Sequence, residues 1–483
     1  WANSIQASFT RYWISSLEKK YVDIQSFTHV QYEQVQKNLQ KLLEQKVKLV
    51  PKVIVESANE SLLVQKENKS YAQLIHDLGK KRNRFSLREL VAKHETQLLE
   101  LFPIWMCSPE QVSNIFSLKP DLFDVILFDE ASQLRIEQTL PAIIRARKLI
   151  VSGDEKQLPP TSFFQAGVDV DLDEDEYTED EQNLIEDESL LVRAKTVFPT
   201  QKLLYHYRST DPSLIDFSNY AFYHSGLKVI PRNSDKSKQR MTFTKVAGTW
   251  HNNTNTVEAK AVVKHIITQL LQKSSQTLGV ITFNVTQRDL ILDMLDDEAK
   301  LNTSFAKVYD EALNRVDDGE FVGFFVKNIE SVQGDERDKI IFSIAYGFTN
   351  KNVFRYNFGP LNGIYGPNRL NVAISRAKES VDVFCSFNPR DFSYSGAHSG
   401  PKLLGEYLKF VKFQSESKAG EAQNVLDSLV SAEQKDSLVA ADQFVQDVYE
   451  TLSAKGLDVH YNVGATGYRF DIGVLAKDKK SYS

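Results

Sequence analysis

The chain has 483 residues, 42% of them hydrophobic and 25% charged, the composition of an ordinary folded protein with room for roughly two to four domains. No apolar run approaches the roughly 20 residues that cross a bilayer, so no membrane partner is expected. Two cysteines, Cys107 and Cys385, exclude a disulfide scaffold or a cysteine-rich zinc site and suit a reducing, cytoplasmic setting. The formal charge of −6 argues only superficially against a polyanionic partner: residues 169–188 hold twelve Asp or Glu and no Lys or Arg, leaving the remainder net basic.

Residues 1 to about 100 alternate Glu, Lys and Gln with apolar positions. Val35, Leu39, Leu42, Leu43, Val47 and Val50 recur at helical spacing, which predicts a long amphipathic helix, most simply in a helical hairpin packed on the main body. Lys80, Lys81, Arg82, Arg84 and Arg88 form the densest basic cluster. Such a run is commonly a solvated face, yet it can also follow a phosphate backbone, so Lys80, Lys81, Arg82 and Arg84 are candidate nucleic-acid contacts. Phe102 to Met106 reads as an apolar strand, followed by Ser108 as N-cap and Pro109 in the first turn of a helix.

Phe123-Asp-Val-Ile-Leu-Phe128 is apolar without alternation at Val125 to Phe128, the pattern of a strand buried on both faces of a parallel sheet. It runs into two adjacent carboxylates, Asp129 and Glu130, at the C-terminal strand end where open α/β sheets hold ligands. A second unit of the same shape, Lys148-Leu-Ile-Val-Ser, ends in Gly153-Asp154 with Gln157 a turn later. The acidic tract then reads as a solvated loop. Leu203 to Thr210 is strand-like with Arg208 near its end. A helix is predicted over 256–272, and Leu278-Gly-Val-Ile-Thr-Phe-Asn is another buried strand with a helix behind it. In Val332-Gln-Gly-Asp-Glu336, Gly334 lets the backbone approach a ligand and Glu336 offers an acceptor to a ribose or a water. The strand Ile340 to Ala345 follows, and Arg369-Leu-Asn-Val-Ala-Ile-Ser-Arg-Ala-Lys378 reads as an amphipathic helix presenting Arg376.

Asp-Glu-Ala-Ser-Gln followed by Gly-Asp-x-x-Gln-Leu-Pro-Pro resembles motifs II and III of superfamily 1 helicases. The resemblance is strongest to the 1B branch that contains the RNA-surveillance helicases, and it covers roughly residues 100–390. Tyr207-Arg208, the Gln-Gly-Asp-Glu segment and the Arg369–Lys378 segment are similar to its Tyr-Arg motif and motifs V and VI. The resemblance implies two RecA-like domains with ATP and Mg²⁺ between them. On it, Asp129 orders the metal, Glu130 activates water, and Gln157 and Arg208 sense the γ-phosphate. Arg376 is the arginine finger that neutralises charge developing on the transferred phosphoryl group. Gln133, Asp154, Gly334 and Glu336 join them as nucleotide-site residues, and Ser108 becomes a backbone contact to single-stranded nucleic acid; DNA is favoured over RNA and 5′-to-3′ movement is suggested, although backbone contacts separate neither choice.

One departure matters. A hydrolase of this class needs Gly-x-x-x-x-Gly-Lys-Ser/Thr to cradle the phosphates, and the sequence contains none. Leu78-Gly-Lys-Lys81 is the nearest approach, in a helical and basic setting. The chain therefore reads as a fragment whose cradle precedes Trp1, with negligible ATP turnover alone. At the other end, Gly464-Ala-Thr-Gly-Tyr-Arg-Phe-Asp-Ile places Asp471 inside an apolar strand, where an unpaired buried carboxylate would need a metal or a donor. This stretch resembles the start of a Vsr-like endonuclease of the PD-(D/E)xK group, with Asp471 as its first metal ligand. Val445 stands where that family carries Glu.

The expected architecture is α/β. It comprises a helical insertion at 1–100, the second half of a RecA-like domain at 101–198, a second RecA-like domain at 199–392, a helical linker at 393–437, and a truncated endonuclease-like domain at 438–483. Two rivals stand beside the motor: a nucleotide-gated scaffold that binds nucleic acid without unwinding it, and a nuclease to which the helicase part delivers DNA.

Overall fold

The computed structural model describes residues 29–65, 69–160, 189–229, 239–272, 274–354, 356–429, 443–465 and 468–475, with a few helical positions before residue 29. The acidic tract 169–188 lies outside the described residues. The chain divides into two compact units, Trp1–Leu122 and Phe123–Ser483.

The first unit is helical: α1 (His29–Gln65), α2 (Lys69–Leu78), α3 (Leu87–Leu101) and α4 (Pro109–Ile115). α1 is the long helix that the spacing predicts. Its stripe is not packed as expected, for Leu39, Leu42, Leu43 and Val47 are all more than half exposed. The core here lies between α2 and α3 instead, through Tyr71, Leu74, Val91 and Leu98. The basic cluster falls mainly in the bend joining those helices. Lys80 is held by the buried Asp77 at 2.7 Å and lies 4.5 Å over the Phe85 ring, while the Arg84 side chain donates to the Lys80 carbonyl. Residues 102–106 form no strand, a correction to the sequence reading: Ile104 and Met106 are 82% and 95% exposed, and Trp105 packs edge-on against Phe102 and Phe116. Ser108 is the N-cap of α4, in a reciprocal capping box with Gln111.

The second unit opens with β1 (Phe123–Phe128), α5 (Ile136–Ile143), β2 (Ala146–Val151) and α6 (Leu190–Val197). β1 and β2 are parallel and in register from Phe123 opposite Ala146 to Phe128 opposite Val151. Burial on both faces was expected of β1, but Val125 and Leu127 are 46% and 61% exposed. Burial on both faces requires flanking strands and covering helices, and among the described residues β1 has one strand neighbour. The Leu203–Thr210 strand shrinks to β3 (Tyr205–His206), which pairs with β4 (Lys228–Val229) across α7 (Ser213–Phe222).

A five-stranded sheet follows, built from β5 (Met241–Lys245), α8 (Thr256–Leu271), β6 (Leu278–Thr282), α9 (Val285–Leu301) and α10 (Thr303–Leu313). The chain continues through the hairpin β7 (Val316–Asp317) and β8 (Glu320–Phe321), then β9 (Phe325–Asn328), β10 (Arg337–Ser343), α11 (Gly366–Ile374) and β11 (Ala377–Cys385). The strand order is β5-β11-β10-β6-β9 and every pairing is parallel. Successive side chains feed opposite faces: Ile340, Phe342 and Val383 enter one core cluster, Ile341 and Phe384 the other. α8, α9 and α10 cover the second face; α7 and α11 cover the first.

α12 (Ser399–Ser415) and α13 (Ala419–Ser428) correct the linker reading of 393–437. Leu404, Tyr407, Leu408 and Phe410 are fully buried in the same core as Phe217 and Phe342, with ring centroids of Tyr407 and Phe217 5.2 Å apart. The Lys and Glu that suggested a linker occupy the outer face of a helix whose inner stripe is apolar. Beyond it, α14 (Gln443–Ala454) precedes the antiparallel hairpin β12 (Val459–Ala465) and β13 (Tyr468–Val474). Asp471 on β13 is exposed, so the desolvation argument for a metal there falls away.

Candidate functional site

The site begins where β1 stops. Asp129 is exposed and its Oδ1 accepts from the Glu130 amide at 3.0 Å, while Glu130 adopts a left-handed conformation (φ 50°) that turns the chain into a short helix, Ala131–Gln133. The Ala131 amide donates to Ser152 O at 2.9 Å, which clamps the ends of β1 and β2 together. Gly153 permits that approach, since a Cβ there would lie 3.1 Å from the amide nitrogens of Ala131 and Ser132. Asp154 then caps its own turn: Oδ1 accepts from Lys156 N at 2.9 Å and Oδ2 from Gln157 Nε2 at 3.3 Å. Gln133 is exposed.

The region after residue 199 closes over this edge. Gln333 precedes Gly334, which turns the chain with a φ of +85° and has open space where a Cβ would sit. The Gln333 side chain donates to Glu130 Oε2 at 3.2 Å and to Gln157 Oε1 at 3.3 Å. From α11, Asn368 donates to the carbonyls of Glu155 and Gln157 at 2.9 and 2.7 Å, and Asn371 donates to Lys156 O at 2.8 Å. Tyr223, just past α7, donates to Asp154 Oδ2 at 2.6 Å. The ends of β1 and β2 are therefore in direct hydrogen-bond contact with Gln333, Tyr223 and α11, the helix that leads into Arg376.

Arg376 lies in the turn after α11 rather than on the helix, and it is 3% exposed. Its Nε donates to Val372 O at 2.8 Å and its Nη2 to Ser375 Oγ at 2.9 Å. Burial, with the positive charge of Arg208 nearby, pushes its pKa down to about 10, against the opposing pull of Glu130, Glu336 and Tyr223. It stays a cation at neutral pH. Arg208 is paired with Glu336, whose other oxygen meets Lys378 at 2.8 Å. Burial would raise the Glu336 carboxyl, but Lys378 and Arg208 outweigh it and hold the group below its ordinary range. Glu336, read from sequence as an acceptor for ribose or water, is thus a junction between two cations. Gln333, Tyr223, Asn368, Asn371 and Lys378 were missed. Gln333, Asn371 and Lys378 lie inside the recognised segments and Asn368 one residue before the last of them, whereas Tyr223 ends an apolar helix and reads as core.

No group of three or more His, Cys, Asp or Glu side chains suited to a metal occurs among the described residues. A lone exposed carboxylate at a strand end is what Mg²⁺ needs from protein when waters and substrate phosphates fill its other positions. Asp129 fits that donor set.

The AAA domain family matches residues 4–165 and again residues 186–388. An uncharacterized ATP-dependent helicase of Mycoplasma pneumoniae is 34% identical over 382 residues, 78% of this chain and 33% of the relative. Its counterpart in Mycoplasma genitalium is 38% identical over 322 residues, 66% of this chain and 28% of the relative. Regulator of nonsense transcripts 1 of Dictyostelium discoideum is 26% identical over 276 residues, 53% of this chain and 18% of that protein. The chain spans a third or less of these relatives. Two AAA domain matches and these helicase relatives together support a superfamily 1 helicase, the family to which the ordered motifs pointed.

Proposed function

We propose that the chain supplies the metal-binding and arginine sides of an ATP-dependent motor that steps along single-stranded nucleic acid, DNA in preference to RNA and 5′ to 3′. The observation that carries this reading is Gln333, which bonds Glu130 and Gln157 while Arg376 lies close enough to Glu130 to feel its charge. Acidic groups and arginines meeting across a crevice are what phosphoryl transfer requires.

In this reading Asp129 would hold Mg²⁺, which would supply positive charge against that of the nucleotide phosphates. Glu130 orients and deprotonates the attacking water, and Gln157 hydrogen-bonds the γ-phosphate. Arg208 leaves Glu336 for the γ-phosphate, whose greater negative charge outcompetes a single carboxylate already shared with Lys378. Arg376, buried and charged, faces the oxygens on which charge grows. Opening and closing of the crevice changes the grip on the strand, with Ser108, Lys80, Lys81, Arg82 and Arg84 as backbone contacts. Because no Gly-x-x-x-x-Gly-Lys-Ser/Thr is present, residues 1–483 alone turn over ATP negligibly. Residues 438–483 are the start of an endonuclease-like domain with Asp471 as its first metal ligand, a reading that rests on the resemblance of the Gly464–Ile472 segment and not on burial.

The test is Glu130→Gln in the full-length protein. Nucleic-acid-stimulated ATP turnover and unwinding fall on the order of 10²-fold or more, as for loss of a general base, while strand binding persists. Unwinding that survives the substitution would sink the motor, and overhang substrates of opposite polarity decide direction.

A further inference from the structure

We propose that Tyr223 is a positioning residue of this site: its hydroxyl ties the Gly153–Gln157 loop to α11 and so fixes the register of the carboxylate side against the arginine side whenever the crevice is closed. The inference rests on the reading of the crevice as a nucleotide site and adds a residue to it that the motifs do not contain.

Three stretches distant in sequence meet at one phenol. The Tyr223 hydroxyl donates to Asp154 Oδ2 at 2.6 Å and accepts from Asn371 Nδ2 at 2.9 Å. Asn371 is 1% exposed, and the same amide reaches Lys156 O. Asp154 makes no ion pair with Lys or Arg within 4 Å among the described residues, so the phenol is the donor from outside its own turn. From Asp154 the bonds continue without a gap: Gln157 Nε2 to Asp154, Gln333 to Gln157, Gln333 to Glu130. Tyr223 is therefore linked to the water-activating carboxylate on one side and to α11, which leads into Arg376, on the other. Burial, reinforced by the charge of Asp154, raises the phenol's pKa, so it remains a donor across the physiological range. Its ring packs against the main core, a role that phenylalanine would keep. Only the hydroxyl is specific to the tie.

Tyr223→Phe, Asp154→Asn and the double variant separate tie from packing. In the full-length protein each single variant lowers stimulated kcat for ATP about tenfold, the loss of one hydrogen bond to a charged group, with KM nearly unchanged, and the double variant is no worse. In residues 1–483 without nucleotide, amide exchange in 153–157 rises about tenfold in Tyr223→Phe while β6 and β10 keep their protection. Exchange at 153–157 that stays at the wild-type rate, or that rises equally throughout the sheet, overturns the tie. A wild-type protein without ATP turnover defeats the motor reading instead, and exchange then decides the tie by itself.

Discussion

Two of the parallel sheets of the second unit, β1-β2 and the five-stranded sheet, start from similar sequence and end in different surroundings. Val125-Ile-Leu-Phe128 and Ile340-Ile-Phe342 are both apolar runs without alternation. In β10 each residue of the run is at most 1% exposed, between α8 to α10 on one face and α7, α11 and α12 on the other. In β1 Leu127 is 61% exposed, with one strand neighbour among the described residues. An apolar run states that a surface favours cover; whether cover is present depends on the elements around it.

The largest effect that sharpens this contrast is Phe342→Ala. The ring is 1% exposed and lies edge-on to Tyr407 at 6.1 Å, so its removal leaves a cavity that the packed helices cannot close. A loss of about 3–5 kcal/mol is expected in denaturant unfolding. A loss below about 1 kcal/mol would mean that the first face of the sheet is far looser than its burial implies.

Next comes Glu258 in the first turn of α8, whose carboxyl is fully buried against the end of β10, whereas Asp129 at the end of β1 is exposed. Ser343 Oγ and the Ala345 amide donate to Glu258 Oε1 at 2.7 Å, yet burial dominates and pushes the group up to about 8 from an ordinary value near 4.5. Between those values the folded chain holds a proton that the unfolded chain has released. Stability therefore falls as pH rises through that window and levels off above it. Glu258→Gln should flatten the slope and gain on the order of 1–3 kcal/mol at pH 8 relative to the parent. Parallel pH profiles for the two proteins would show that Glu258 does not titrate with unfolding.

These cases mark what was legible in the sequence. Buried strands such as Leu278–Thr282 and helices such as α8 announce themselves because period and length are local properties. Asp129, Glu130, Gln157, Arg208 and Arg376 could be named because they fall in ordered segments, although chain order alone does not say what they touch. The bond from Gln333 to Glu130 joins residues 203 apart, and Tyr223 to Asp154 joins residues 69 apart. α12 was read as a linker because its charged face is easier to see than its buried stripe. The Glu336 junction was missed because a carboxylate near a glycine turn suggests a ligand as readily as two cations.

Gly153→Ala tests the seam between β1 and β2 at a smaller scale. The added methyl would meet two backbone nitrogens at 3.1 Å and the Leu191 side chain at 3.2 Å, and the amides are held by the Ala131 to Ser152 bond. About 1–2 kcal/mol should be lost, with faster exchange of the Ala131 amide, because backbone gives way less readily than a side chain. A neutral outcome would place the seam among the adaptable parts of the unit.

Leu127→Thr carries the smallest expected effect. With most of its surface already in water, the side chain contributes little apolar burial, and threonine brings a β-branched shape that a pleated strand accepts. The change should stay within about 0.5 kcal/mol in dilute protein, as for surface substitutions that break no packing. A loss well above 1 kcal/mol that grows with protein concentration would show β1 covered by a second copy of the chain. A loss of that size independent of concentration would show cover from within the chain. Either result would make the two sheets alike in solution, and the exposure of Leu127 would cease to distinguish them.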